Sequence, residues 1–218
     1  MPGRTIAIGD IHGCLPALQT LLERIDPRGD DTLITLGDYV DRGPDSCGVL
    51  EMLIALGKQT CLVPLLGNHD EMMFNVCRGR MDLLDDWLLF GGDATLASYG
   101  TRYPADVWPS HLEFIARCGL AFETPRHFFV HANYRAAALD RLPREVLIWE
   151  SLKRHVPGPH PSGKTAIVGH TAQKNGEVLD LGHLRCIDTC CYGNGWLTAL
   201  DVETGRLWQA DKQGRLRK

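Results

Sequence analysis

Leu33-Ile34-Thr35-Leu36-Gly37-Asp38-Tyr39-Val40-Asp41-Arg42-Gly43 is the stretch on which the reading of this chain turns. A β-rich run stops at a glycine, and two carboxylates and a guanidinium follow at once. A strand that ends this way sets charge at the rim of a sheet, where open α/β folds bind ligands. Asp38 and Asp41 are close enough to share a task, and Arg42 is a planar fork donor suited to phosphate oxygens. Gly and Asp are also ordinary in a turn after a strand. What sets this stretch apart is that its grammar recurs along the chain.

Upstream, Thr5 to Ile8 reads as a buried strand ended by Gly9-Asp10-Ile11-His12-Gly13. Leu15, Leu18, Leu21, Leu22 and Ile25 then fall at helical spacing, closed by Asp26-Pro27 and Gly29. The central strand covers about Thr32 to Leu36. Downstream, Val49, Leu50, Leu53 and Leu56 mark a helix that stops at Gly57, and a third strand, about Thr60 to Leu66, ends in Gly67-Asn68-His69-Asp70. Three β-then-α units in a row predict a largely parallel sheet with helical cover.

Residues from about Gly79 to Pro109 follow a different pattern. Leu83, Leu84, Trp87, Leu88, Leu89 and Phe90 are interleaved with Asp82, Asp85 and Asp86, and Gly91-Gly92 breaks the run. A short amphipathic helix, a glycine hinge and a second helix near Ala94 to Tyr99 are expected, forming a cap of roughly residues 79–110 beside the site. A helical insertion that only fills the core is the alternative. In the C-terminal half, His127–Val130, Thr165–Val168 and Leu184–Ile187 read as strands leading to His131-Ala132-Asn133, Gly169-His170-Thr171 and Asp188-Thr189. Trp196–Val202 and Arg206–Ala210 flank the hairpin signal Glu203-Thr204-Gly205. Val156 to Gly163 is too rich in Pro and Gly for regular structure. The late strands, with few helices between them, predict a second, more mixed sheet packed on the first, and 218 residues make one domain, 1–218, the default.

With 44% hydrophobic and 23% charged residues the chain is an ordinary globule, not a disordered one. A net charge of −4 argues against a broad nucleic-acid face, though not against a phosphate substrate, because bound cations supply local positive charge. No apolar run is long enough to span a bilayer, no signal peptide is visible, and the 8 cysteines form no C-x-x-C pair. A reducing cytoplasm with free thiols is the expected home. Cys190-Cys191 beside Asp188 read either as buried inert thiols or as a redox-sensitive pair.

Asp10, His12, Asp38, Asn68, His131 and His170 gather the polar groups at strand ends. They offer oxygen and imidazole donors and no thiolate, a set that suits Mn, Fe or Zn. Two cations about 3.5–4 Å apart can share one water, lower its pKa and clamp a phosphoryl group for in-line attack. Two dications, two aspartates and one hydroxide leave a centre of roughly +1, a trap for a phosphate dianion inside an acidic protein.

Gly9-Asp10-Ile11-His12-Gly13, Gly37 to Gly43 and Gly67-Asn68-His69-Asp70 resemble the three signature blocks of the PPP-type phosphoprotein phosphatases, within the calcineurin-like metallophosphoesterases. Trp87 with Gly91-Gly92, Thr95 and Ser98-Tyr99-Gly100 resembles a block of the bacterial members, and the resemblance extends to Gly195–Leu200. It implies an α/β fold of two mixed β-sheets packed as a sandwich flanked by helices. It implies two divalent metal ions, manganese first with iron or zinc as alternatives. Asp10 and His12 would hold the first, Asp38 would bridge, and Asn68, His131 and His170 would complete the second. His69 would be the general acid, Asp41 its orienting carboxylate and Arg42 the phosphate ligand, serving a metal-dependent phosphatase of phosphoproteins or phosphopeptides. A dinucleoside polyphosphate hydrolase on the same scaffold is the rival, and a fold that had lost its chemistry would lack a ligand or the acid.

The chain departs from the family pattern in three places. Asp70 stands where Glu is usual, and Ala132-Asn133 follow His131 where small residues, often glycines, are usual, so that Asn133 becomes a candidate substrate donor. Bacterial relatives carry a second phosphate-binding arginine two residues after a Trp, but Trp149 here is followed by Glu150-Ser151. Arg154 or Arg135 are candidate substitutes. His111, His127, His155, His160 and His183 follow no strand-end glycine motif and are expected on the surface or in loops.

Overall fold

Ile6, Ala7 and Ile8 have no solvent exposure, the pattern of a parallel strand covered on both faces. The computed structural model describes residues 3–218. Its strands, in chain order, are β1 (Thr5–Ile8), β2 (Thr32–Thr35), β3 (Cys61–Pro64), β4 (Ala121–Glu123), β5 (His127–Val130), β6 (Thr165–Val168), β7 (Leu179–Asp180), β8 (Leu184–Cys186), β9 (Leu197–Asp201) and β10 (Leu207–Ala210). Its helices are α1 (Leu15–Ile25), α2 (Ser46–Leu56), α3 (Asn68–Cys77), α4 (Leu84–Trp87), α5 (Asp93–Ser98), α6 (Pro109–Ala116) and α7 (Arg144–Trp149).

Two sheets result, with strand orders β10-β9-β1-β2-β3 and β4-β5-β6-β8-β7. In the first, β1, β2 and β3 are parallel, with Thr32 opposite both Thr5 and Cys61. In the second, β5, β6 and β8 are parallel and the edge strands run antiparallel. Side-chain parity sorts the core into layers. Ala7, Ile34 and Leu200 from one sheet meet Phe129 and Ile167 from the other in an apolar layer. Ile6, Ile8 and Leu33, of opposite parity, join a larger cluster with Leu18, Leu21 and Leu50 from α1 and α2. Each such side chain contributes about 1.5–3 kcal/mol when fully buried.

The predicted α/β sandwich therefore forms, with one change of membership. The last two strands return to the first sheet, where β9 pairs antiparallel with β1 and β10 pairs with β9. Helices α6 and α7 and strands β4 and β7 were not anticipated, and α3, implied by the third β-then-α unit, had no bounds. The two strands are three and two residues long, too short for a period to show. In the cap, α4 and α5 are joined by a wide turn, Leu88–Gly92, in which Gly91 takes φ 106°, a conformation open to glycine. The break expected at Gly91-Gly92 is there as a kink at Gly91. His111 and His127 are corrections: both are buried, His111 because its Nδ1 meets the Tyr99 hydroxyl at 2.5 Å and His127 because it lies in an interior strand. Among the described residues all eight cysteines are free, and no helix is long and apolar enough to cross a membrane.

Candidate active site

Every sequence-predicted ligand lies just beyond a strand. Asp10 and His12 follow β1, Asp38 follows β2, and Asn68 opens α3 after β3; His131 follows β5 and His170 follows β6. The first four come from one sheet and the last two from the other. Making these turns bends the backbone out of its usual range. His12, Asp38, Asp41, Arg42 and His170 all have φ between 45° and 72°. Such left-handed residues cost of order 1 kcal/mol or more each and gather where structure is spent on function.

Hydrogen bonds fix which ring nitrogen faces inward. His12 Nδ1 donates to the Val40 carbonyl at 2.8 Å and His131 Nδ1 to the Leu36 carbonyl at 2.8 Å. Each leaves Nε2 3.5 Å from an Asp38 oxygen, His12 on Oδ2 and His131 on Oδ1. Asn68 Oδ1 lies 3.2 Å from His131 Nε2 and 2.9 Å from His170 Nδ1. His170 donates its backbone N–H to Asp10 Oδ2 at 2.9 Å. Ligand atoms of Asp38, His131 and His170 fall within 4.8 Å of one another, as do those of His12, Asp38 and His69. Asp38 belongs to both groups.

His69 Nδ1 lies 2.7 Å from Asp41 Oδ2. Asp41 is fully buried, and its carboxylate also accepts from Thr95 Oγ1 at 2.7 Å and Trp87 Nε1 at 3.0 Å. The cap supplies both donors. The Gly91 carbonyl accepts the Arg42 N–H at 3.1 Å, so the hinge rests on the arginine's backbone. The Arg42 guanidinium reaches His12 Nε2 at 2.9 Å and lies 4.6 Å over the Tyr192 ring.

Charge in this cluster is unbalanced. Burial and the carboxylates of Asp188 and Asp38 push Asp10 well above the usual range. Burial likewise raises Asp188, with Asp38 adding to it, to about 6. Burial opposes ionisation of Asp38, but the four surrounding histidines outweigh it and hold its carboxyl low. Burial and His131 lower His170 to about 4, and burial also lowers His12 and His131. Neutral imidazoles and crowded carboxylates are the form in which such side chains bind cations.

The model of the family called calcineurin-like phosphoesterase matches residues 3–195. This chain belongs to that family. A serine/threonine-protein phosphatase 1 of Salmonella typhimurium is 28% identical over 211 residues, covering 90% of each chain. A symmetrical bis(5'-nucleosyl)-tetraphosphatase of Janthinobacterium is 32% identical over 152 residues, 65% of this chain and 49% of that protein. The fold matches that of a cold-active protein-tyrosine phosphatase of Shewanella, with 18% identity and a TM-score of 0.65 over 100% of this chain and 80% of that one.

The metallophosphoesterase family uses a dimetal centre, and the residues here fit one. Besides the inward nitrogens, two glycines leave room for the carboxylates: a Cβ on Gly169 would lie 2.1 Å from Asp10 Oδ1, and one on Gly67 2.1 Å from Asp38 Oδ1. Asp70 accepts the backbone N–H groups of Gly67, Asp38 and Tyr39 at 2.8–3.0 Å, so the shorter acid clamps two of the family's loops together. Asn133 is directed elsewhere than expected. It is fully buried, its Nδ2 donates to the His155 carbonyl at 2.9 Å, and its Oδ1 accepts from Tyr134 N, so its amide braces a loop. Arg154 is exposed on the rim of a cavity of about 530 Å³ that it shares with Arg135, Trp149 and Glu150, where Arg135 is ion-paired to Glu150. Sequence reasoning did not single out Tyr192, Ser46, whose Oγ accepts the Asp41 N–H at 3.1 Å, or the carboxylate of Asp188 as neighbours of the site. Asp188 followed the same strand-then-acid grammar and could have been found by it.

Proposed function

We propose that this metallophosphoesterase is a metal-dependent phosphoprotein phosphatase, hydrolysing phosphoserine, phosphothreonine or phosphotyrosine monoesters. The observation that carries the reading is the His69–Asp41 pair set against Asp38, the carboxylate common to both candidate ligand groups. Asp10, His12 and Asp38 would hold one divalent ion, and Asp38, Asn68, His131 and His170 the other, with manganese first and iron or zinc as alternatives. When bound, such a pair supplies a water acidic enough to attack phosphorus near neutral pH and offsets phosphate charge.

The chain's own residues do the rest. Asp41, with Nδ1 of His69 donating to it, leaves Nε2 to carry the proton that the departing alkoxide or phenoxide requires. Arg42 is the group placed to bind phosphate oxygens, with its guanidinium stacked on Tyr192. Burial raises the Asp41 carboxyl above the usual range, and Trp87 and Thr95 oppose that rise and orient the group by donating to it.

A second reading, hydrolysis of dinucleoside polyphosphates, is supported by the tetraphosphatase relatives, one of which is 49% identical over 79 residues. That match covers 26% of the relative, whereas the Salmonella phosphatase matches along 90% of its length. Asp85, Asp86 and Asp93 are exposed or nearly so on the cap, the wrong sign for a polyphosphate tail. Turnover by manganese-loaded protein of phosphoserine, phosphothreonine and phosphotyrosine peptides against diadenosine tetraphosphate tests the choice. Preference for the tetraphosphate would overturn the first reading.

A further inference from the structure

Four rings stand in a row across the site. His69 and His12 meet edge to face with centroids 4.8 Å apart, Tyr192 meets His12 at 4.9 Å, and Phe90 meets His69 at 6.4 Å. Two imidazoles of the reaction centre are thus flanked by two aromatic side chains that ligate nothing. Neither is a core residue: Phe90 is 47% exposed and Tyr192 is half-buried. Phe90 is not a loose surface ring. It precedes Gly91, whose φ of 106° and whose carbonyl bond to Arg42 N fix its place beside the proposed acid.

Position at the acid decides what Phe90 can touch. A general acid must come within about 2.6–3.2 Å of the oxygen it protonates. The first atoms of any leaving group therefore lie against the neighbours of His69, and Phe90 is the exposed one. A serine alkoxide brings a single methylene to that spot. A tyrosine phenoxide brings a whole ring, which can pair with Phe90 at the 4.5–7 Å spacing aromatic rings favour. Stacking on Tyr192 meanwhile holds the Arg42 guanidinium at the phosphate end.

We infer that Phe90 is a specificity-determining platform for the leaving group that selects aryl over alkyl phosphomonoesters, which, on the proposed phosphoprotein reading, makes phosphotyrosine the preferred side chain. In the reaction the aryl oxygen–phosphorus bond breaks and water oxygen bonds to phosphorus. The phenoxide takes a proton from His69, which is restored by the proton that water releases, giving a phenol and inorganic phosphate.

The test uses manganese-loaded full-length protein and two non-hydrolysable probes, phenylphosphonate and methylphosphonate, measured by calorimetry in wild type, Phe90→Ala and Phe90→Trp. Wild type should bind phenylphosphonate more tightly by up to about tenfold, the scale of one aromatic pair. Phe90→Ala should bring the ratio near one, and Phe90→Trp should restore it. An unchanged ratio in Phe90→Ala, or equal or absent binding of the two probes by wild type, overturns the inference. Paired phosphotyrosine and phosphoserine peptides of one sequence supply the kcat/KM ratio. If neither peptide is hydrolysed while the phosphonate ratio behaves as stated, the phosphoprotein reading fails and the platform stands.

Discussion

Thr95 Oγ1 holds both ends of Asp41: it accepts the Asp41 backbone N–H at 2.9 Å and donates to the Asp41 carboxylate at 2.7 Å. One hydroxyl from the cap thereby fixes a residue more than fifty positions away, at a φ of 72° that aspartate rarely adopts unaided. Thr95→Val keeps the shape and removes the hydroxyl. Chemical denaturation should show a loss of about 1–3 kcal/mol, the cost of leaving buried polar atoms unpaired. Thr95→Ser should recover most of it.

The pair served by this arrangement, His69 and Asp41, makes the sharpest kinetic prediction. His69→Asn should lower kcat on an alkyl phosphate by about 10²–10⁴, the usual worth of general acid catalysis. Calorimetric titration with manganese should show binding retained. Asp41→Asn should lower kcat as well, because the amide no longer selects the donor form of Nδ1. Full activity in His69→Asn would reassign the acid.

Cation binding is predicted to stabilise the fold. At a manganese concentration 100 times the Kd, linkage adds about 2.7 kcal/mol, visible as a higher Tm that chelator reverses. Gly169→Ala should abolish most of that gain, since its methyl would lie 2.1 Å from Asp10 Oδ1 and push the carboxylate aside. Gly158→Ala, which meets nothing within 4 Å, is the control.

Away from the site, Asp31 sets an acid limit on stability. Its buried carboxylate accepts from Arg4 N at 2.8 Å, Arg4 Nε at 3.1 Å and Arg28 N at 2.9 Å. Burial opposes its charge, but the bonds from Arg4 and Arg28 prevail and lower the pKa to about 2. A folded pKa below the unfolded value near 3.9 makes this stabilisation complete above that value and lost as pH falls toward about 2. Asp31→Asn should therefore cost about 2 kcal/mol at pH 7 and shrink the difference from wild type between about pH 4 and 2.

Much of this was legible in the chain because the chemistry sits where strands stop. Gly-Asp and Gly-Asn pairs after β1, β2 and β3 placed Asp10, Asp38 and Asn68 without knowledge of the sheet order. The histidine pair was readable for the same reason, since His131 and His170 follow β5 and β6. What could not be read was long-range company. Nothing local says that β9 passes over 190 residues back to β1, because a strand's period records which face is buried and not against which partner. Asn133 looked like a donor because amides beside a ligand often are, but its partner, the His155 carbonyl, lies 22 positions on. The bounds of helix α3 were hidden because its first turn, Asn68-His69-Asp70, carries polar groups instead of an apolar stripe.

The pairing of β9 with β1 also imposes an order of events on a growing chain. β1 precedes its partner β9 by more than 190 residues, so one of its two edges stays open until residues 197–201 are made. Until then the loop bearing Asp10 and His12 follows a strand paired on one side alone, with β2. A fully paired support for the Asp10–His12 loop is thus a late acquisition, gained when the β9–β10 hairpin closes on β1.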